Sequence, residues 1–194
     1  MSAAAALQAD GHPIGAVYLT REQIAARVAE LGDEIGAVYA GHEPLLVAPL
    51  KSSAVFLADL SRALDLPHAI DVIELAPYSP GGVGGGAVRL LKDLDTAIEG
   101  RHVLVVEDVV DTGLTLGFLA RTLALRGPAD VAAVTLLDRP YRRLVDDVPL
   151  RHVGFTVPDE LFAGYGLGLD ERWRAMPDLH VVLADRLPVA IDAA

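Results

Sequence analysis

"VVEDVVDTGLTL", residues 105–116, sets a short apolar run against a knot of acids. The run Val103 to Val106 meets Glu107 and Asp108, two valines follow, and then come Asp111, Thr112, Gly113 and Thr115. Three carboxylates within five positions repel one another at neutral pH. A short apolar run bounded by turn residues reads as a buried strand. "TLGFLARTLALRG" (115–127) reads as a helix ended by Gly127 and Pro128. In an open α/β sheet, ligands bind beyond the carboxyl ends of the strands, so the strand 103–107 delivers Glu107 and Asp108 to that edge. Gly113 permits a tight turn. Backbone N–H groups of residues 112–115, with the hydroxyls of Thr112 and Thr115, can ring an anion at the positive end of the helix. Carboxylates suit hydroxyl groups or Mg2+, and Mg2+ is commonly shared with ligand phosphates. A phosphorylated sugar satisfies both halves. Asp111 taken singly reads as a helix cap, but an ordinary strand-to-helix turn has no need of three acids.

The same alternation extends in both directions. Thr20 with Gln23 three residues on is a capping-box signature, and Ile24, Val28, Leu31, Ile35 and Val38 recur at helical spacing up to Gly41. "PLLVAPL" (44–50) is a buried strand, a helix begins near Ser52, and "HAIDVIEL" (68–75) is another strand. "APYSPGGVGGG" (76–86) is a loop. Strands are expected at 87–94, 130–138, 151–158 and 180–185. Residues 1–13 read as a loose leader and 186–194 as a tail. Apolar strands alternating with helices predict an α/β fold with a doubly wound, mainly parallel sheet covered on both faces. The first helix and the segment after Pro158 are expected to form a small cap, or hood, over the sheet's carboxyl edge. With no internal repeat and no dividing linker, residues 1–194 read as a single domain.

Bulk properties narrow the function. The chain has 194 residues, 52% hydrophobic and 22% charged, which suits one well-packed domain. A formal net charge of −11 disfavours a nucleic-acid binder. There is no cysteine, so disulfides and thiolate metal sites are excluded. "MSAAAALQAD" lacks a basic n-region, and no apolar run reaches the ~18 residues of a membrane span. The expectation is a cytoplasmic protein with no membrane partner. Six scattered histidines show no metal-ligand spacing and read as structural.

The acidic run resembles the phosphoribosyl-pyrophosphate signature of the type I phosphoribosyltransferases. "RLLKDLDTAIEGRHVLVVEDVVDTGLTL" is similar to the central segment of the hypoxanthine-guanine branch almost throughout. "LLVAPLKSSAVFLADL" resembles its pyrophosphate-loop strand and helix, and "VGFTVPDELFAGYGLGLDERWRAMPDL" its base-binding segment. These stretches cover most of residues 44–184. The resemblance implies the type I phosphoribosyltransferase fold. It also implies Mg2+-dependent transfer of a 5-phosphoribosyl group from phosphoribosyl pyrophosphate to a 6-oxopurine, hypoxanthine or guanine, with release of pyrophosphate. Glu107 and Asp108 would hold the ribose hydroxyls, directly or through Mg2+. Asp111 would be the acid/base near the purine N7, and Asp111, Thr112, Gly113, Leu114 and Thr115 would cradle the 5-phosphate. Lys51, Ser52 and Arg174 would meet pyrophosphate. Members commonly assemble as dimers or tetramers, so a homodimer or homotetramer is expected.

The chain also departs from the family pattern. Ser52 follows Lys51 where the family has a glycine, a pair often joined through a cis peptide. In the loop 76–86 the family's Ser-Tyr pair is Pro77-Tyr78, with Tyr78 retained. "GVGGGA" in that loop fits a loose dinucleotide fingerprint but precedes a strand, not a helix, and fails that context. Arg139 stands where a Lys normally meets the purine 6-oxo group; apart from the resemblance it is one member of the basic run 139–143. Leu161 replaces the Phe that stacks on the base, with Phe162 beside it. Gly168 replaces an Asp expected near a second Mg2+, and Asp170 is the neighbouring acid that could substitute. Two rival readings stay open: the same chemistry on another nucleobase, and a non-catalytic phosphoribosyl-pyrophosphate-binding protein. A receiver-like signalling domain shares the acidic strand end but lacks the "DTGLT" cradle.

Overall fold

Twelve regular elements appear in the computed structural model, which describes residues 12–76 and 88–187. The strands are β1 (Ile14–Leu19), β2 (Leu45–Leu50), β3 (Ala69–Ala76), β4 (Arg89–Lys92), β5 (His102–Val110), β6 (Asp130–Asp138), β7 (Leu150–Thr156), β8 (Phe162–Ala163) and β9 (Leu179–Val182). The helices are α1 (Arg21–Val38), α2 (Ala54–Ala63) and α3 (Leu114–Ala124). Most of the leader, nearly all of the loop 76–86 with Tyr78, and the tail from 188 lie outside the described residues. Among the described residues no helix is long and apolar enough to cross a membrane.

Six strands form the main sheet in the order β4-β3-β2-β5-β6-β7. The pairs β3–β2, β2–β5, β5–β6 and β6–β7 are parallel. Only the edge strand β4 is antiparallel, and it is shorter than the 87–94 expected from sequence. The centre is dry because β2 and β5 are apolar on both faces: Leu45 to Ala48 and Val103 to Val106 are fully buried. One face packs on α1 and α2, through Ile24, Leu31, Ile35, Phe56 and Leu60. The other packs on α3, through Leu116, Leu119 and Leu123. The sheet is therefore doubly wound, as the alternation predicts.

A second, three-stranded sheet, β1-β9-β8, forms the hood. Its antiparallel pairs join the two ends of the described chain, Ile14 lying opposite Val182 and Phe162 opposite Val181. The expectation for the hood needs one correction. The first helix, α1, is not part of it but lies against α2 and β7 on the face of the main sheet. Ile24, Val28, Leu31 and Ile35 of its apolar stripe are buried there while Val38 at its end is exposed, and its Arg27 donates to the carbonyls of Val153 (2.8 Å) and Gly154 (3.0 Å) of β7. The hood's amino-terminal strand, β1, was not expected, because "IGAVYL" is too short and too exposed along its middle to carry a periodic signal. The capping box at Thr20 forms as predicted: the Gln23 N–H donates to Thr20 Oγ1 at 3.3 Å, and the Thr20 N–H to Gln23 Oε1 at 2.8 Å.

Candidate active site

The acids of the opening stretch sit near the carboxyl end of β5, where strand alternation sends neighbours to opposite faces. Glu107 and Asp108 are each more than nine-tenths buried. Asp108 has a partner: Ser53, fully buried at the start of α2, donates from Oγ to Asp108 Oδ1 at 3.1 Å and accepts the Asp108 N–H at 3.3 Å. Burial raises the Asp108 carboxyl, while the hydroxyls of Ser52 and Ser53 pull it back. Burial pushes the Glu107 carboxyl up to about 8, and the Asp108 charge adds to the shift. A buried carboxylate in this position needs a cation or hydroxyl donors from a ligand to carry its charge.

The start of α3 is built differently from that of α1. Gly113 is its N-cap residue, in the left-handed region at φ 80°, and supplies no side-chain cap. The positive φ favours glycine, and a Cβ there would stand a tight 3.0 Å from the carbonyl oxygen of Val145. Thr112 Oγ1 accepts the Leu114 N–H at 3.3 Å, and the Thr112 carbonyl accepts the N–H groups of Leu144 (2.9 Å) and Val145 (3.2 Å). The loop after β6 thus braces the turn, while Thr115 sits in the uncapped first turn of the helix. Apart from the Leu114 N–H held by Thr112, the N–H groups of the first turn point along the positive end of the helix dipole.

Asp111 lies between these features. Arg139, 6% exposed at the end of β6, reaches Asp111 Oδ2 from Nη1 at 3.3 Å and Asp159 Oδ1 from Nη2 at 2.5 Å. Arg142 also reaches Asp159, from Nε at 2.7 Å. Two atoms at this junction, Asp111 Oδ1 and Arg139 Nε, are buried without a partner, one an acceptor and one a donor. Ser53 and Asp159 are the members of this network that sequence reasoning missed. A buried serine leaves no mark among surface-type serines, and the one visible hint for Asp159 was an acid directly after Pro158.

Further out, the Leu50–Lys51 peptide is cis. Lys51 Nζ and Arg174 Nη2 hold the two oxygens of Glu171, at 2.8 and 3.1 Å. Arg174 Nη1 also donates to the Gly166 carbonyl at 3.0 Å. Gly168 lies flat against that guanidinium, where a Cβ would come within 2.6 Å of Cζ. Leu161 is partly buried against the hood cluster of Ile14, Ala163, Met176 and Val182. Phe162 is buried beside Tyr18, ring centroids 4.8 Å apart. A cavity of about 400 Å3 between α1, α2 and the segment 174–177 shares only Arg174 with the predicted site; the acidic strand end lies outside it.

For Mg2+, the donor set is the test. Among the described residues no group of three or more His, Cys, Asp or Glu could cage a metal. Mg2+ that is shared with ligand phosphates takes only one or two carboxylates, and the buried pair Glu107 and Asp108 fits that demand.

Comparison with known proteins agrees in sequence and in structure. Residues 17–161 match the phosphoribosyl transferase domain family. The chain is 46% identical over 167 residues to a hypoxanthine-guanine phosphoribosyltransferase of Mycobacterium avium, covering 83% of this chain and 82% of that one. It is 44% identical over 172 residues to a hypoxanthine phosphoribosyltransferase of Salmonella typhimurium, covering 87% and 96%. A crystal structure of a hypoxanthine-guanine phosphoribosyltransferase from Bacillus anthracis superposes with a TM-score of 0.81 at 39% identity, covering 88% of this chain and 98% of that one.

Proposed function

This chain belongs to the phosphoribosyltransferase family, in its hypoxanthine-guanine branch, and from that membership we propose that it joins the 5-phosphoribosyl group of phosphoribosyl pyrophosphate to hypoxanthine or guanine. The observation that carries this reading is an uncapped helix start beside two buried carboxylates on one sheet edge. That pair of features suits one ligand bearing a phosphate at one end and vicinal hydroxyls at the other.

In the proposed reaction a purine nitrogen forms a bond to the anomeric carbon as the bond from that carbon to pyrophosphate breaks. The purine gives up a proton, and Asp111 takes it near N7. The turn of Thr112, Gly113, Leu114 and Thr115 holds the 5-phosphate. Glu107 and Asp108 hold the ribose hydroxyls and stabilise positive charge developing on the sugar. Mg2+, held through Glu107 and Asp108, would offset charge on the pyrophosphate. Lys51, Ser52 and Arg174 receive that leaving group. The unpartnered donor on Arg139 and acceptor on Asp111 support a base that offers an acceptor next to a donor, as the O6 and N7–H edge of a 6-oxopurine does. Leu161 and Phe162 bound the base on the hood side. We read the chain as a single such domain acting in the cytoplasm as a homodimer or homotetramer.

Steady-state assays with hypoxanthine, guanine, xanthine, adenine and uracil test this. Turnover is expected with hypoxanthine or guanine. Turnover confined to another base, or binding of phosphoribosyl pyrophosphate with no turnover on any, would reject it.

A further inference from the structure

The segment 169–172 closes on itself: the Leu169 N–H donates to the Arg172 carbonyl at 3.1 Å, and the Arg172 N–H to the Leu169 carbonyl at 3.0 Å. Asp170 and Glu171 form the tip, with φ of 48° and 60°. Positive φ at both central residues is the pattern of a type I′ turn, which prefers Asn-Gly or Asp-Gly. Glu171 stands where such a turn favours glycine, and its side chain is what the position exploits. Its Oε2 accepts from Lys51 at 2.8 Å and its Oε1 from Arg174 at 3.1 Å, although Lys51 is 120 residues away in sequence. One carboxylate thus spans the two cations that the reading above assigns to pyrophosphate. Gly168 leaves room for the Arg174 guanidinium in its present position, since a side chain there would have to push it aside.

We propose that Glu171 is an internal competitor for the diphosphate group, a carboxylate on a hairpin tip that holds Lys51 and Arg174 together until the ligand displaces it. The inference rests on the proposed assignment of those two residues to pyrophosphate. Both Glu171 and Lys51 are about two-thirds exposed, so the contacts are screened and weak enough to exchange. A multiply charged diphosphate outbids a single carboxylate for two cations, whereas a singly charged anion gains little over it. The latch therefore favours diphosphates over smaller anions and offsets part of the repulsion between the two cations before the ligand arrives.

The test is Glu171→Gln, titrated calorimetrically with magnesium pyrophosphate and assayed for the KM of each substrate. Because two weak, exposed pairs are released, pyrophosphate affinity and the KM for phosphoribosyl pyrophosphate are expected to improve by about twofold to thirtyfold. The KM for the purine should not move. Glu171→Gly, which suits the positive φ, must shift affinity in the same direction. Unchanged or weaker pyrophosphate binding in both variants, while Lys51→Ala and Arg174→Ala do weaken it, overturns the latch alone. If Lys51→Ala and Arg174→Ala have no effect either, the assignment of the cations is wrong and the latch falls with it.

Discussion

Replacing Glu107 with Gln should stabilise the ligand-free protein at neutral and alkaline pH, although Glu107 is assigned to the site. The folded state raises this carboxyl from an ordinary value of 4.5 to about 8, through burial first and then the neighbouring Asp108 charge. The folded chain thus holds the Glu107 proton more tightly than the unfolded chain does. Its favourable contribution is complete below about 4.5 and is lost as pH rises through about 8. At about 1.4 kcal/mol per pK unit, the ceiling on the lost stability is about 5 kcal/mol. Entry of water or a counter-ion into the opened site lowers that ceiling, because either one solvates the carboxylate. Gln has a similar shape and no charge, so Glu107→Gln escapes the loss. For a chain of this length each kcal/mol moves Tm by about 2–4 °C. Thermal unfolding of both proteins from pH 5 to pH 9, with a chelator present, should show near-equal Tm at pH 5 and a gap opening in favour of the variant by pH 9. Adding Mg2+ and phosphoribosyl pyrophosphate should narrow the gap, since the ligand supplies partners to the native carboxylate. A gap independent of pH would refute the reasoning, as would one that favours the native residue at pH 9.

Asp111→Asn should bind phosphoribosyl pyrophosphate almost normally yet lose kcat by ~10²-fold or more, as removal of a general base does; unchanged turnover would take Asp111 out of the chemistry. Ser53→Ala removes a buried hydroxyl that both donates to and accepts from Asp108, and should cost about 1.5–3 kcal/mol in urea unfolding; a loss below the resolution of the melt would show that Asp108 finds another partner. Gly113→Ala forces a Cβ to 3.0 Å from the Val145 carbonyl at a φ of 80°. It should cost ~1–3 kcal/mol of stability and weaken the 5-phosphate contact, seen as a raised Kd for phosphoribosyl pyrophosphate in calorimetry. A native-like Kd would free the turn from phosphate binding.

The alternation of apolar runs with amphipathic helices made the doubly wound sheet legible, because a strand buried on both faces has to be apolar at every position. Leu45 to Ala48 and Val103 to Val106 meet that demand without help from distant residues. The capping box at Thr20 was equally legible, since all its partners lie within three residues. The glycine turn before α3 was visible for the same reason. The contacts that complete the candidate site were not, because each joins residues far apart in sequence: Ser53 with Asp108, Arg139 with Asp111 and Asp159, Lys51 with Glu171. The hood shows the contrast most plainly. Of its strands only β9 was legible, from the apolar run near 180–185; β1 and β8 are short and weakly patterned, and the three become a sheet only when the two ends of the described chain meet. Local periodicity could determine the elements and the acids at the end of β5. Which acid is buried, which cation faces which carboxylate, and which backbone donors stay open depend on approach in space, and the folded chain alone decides those.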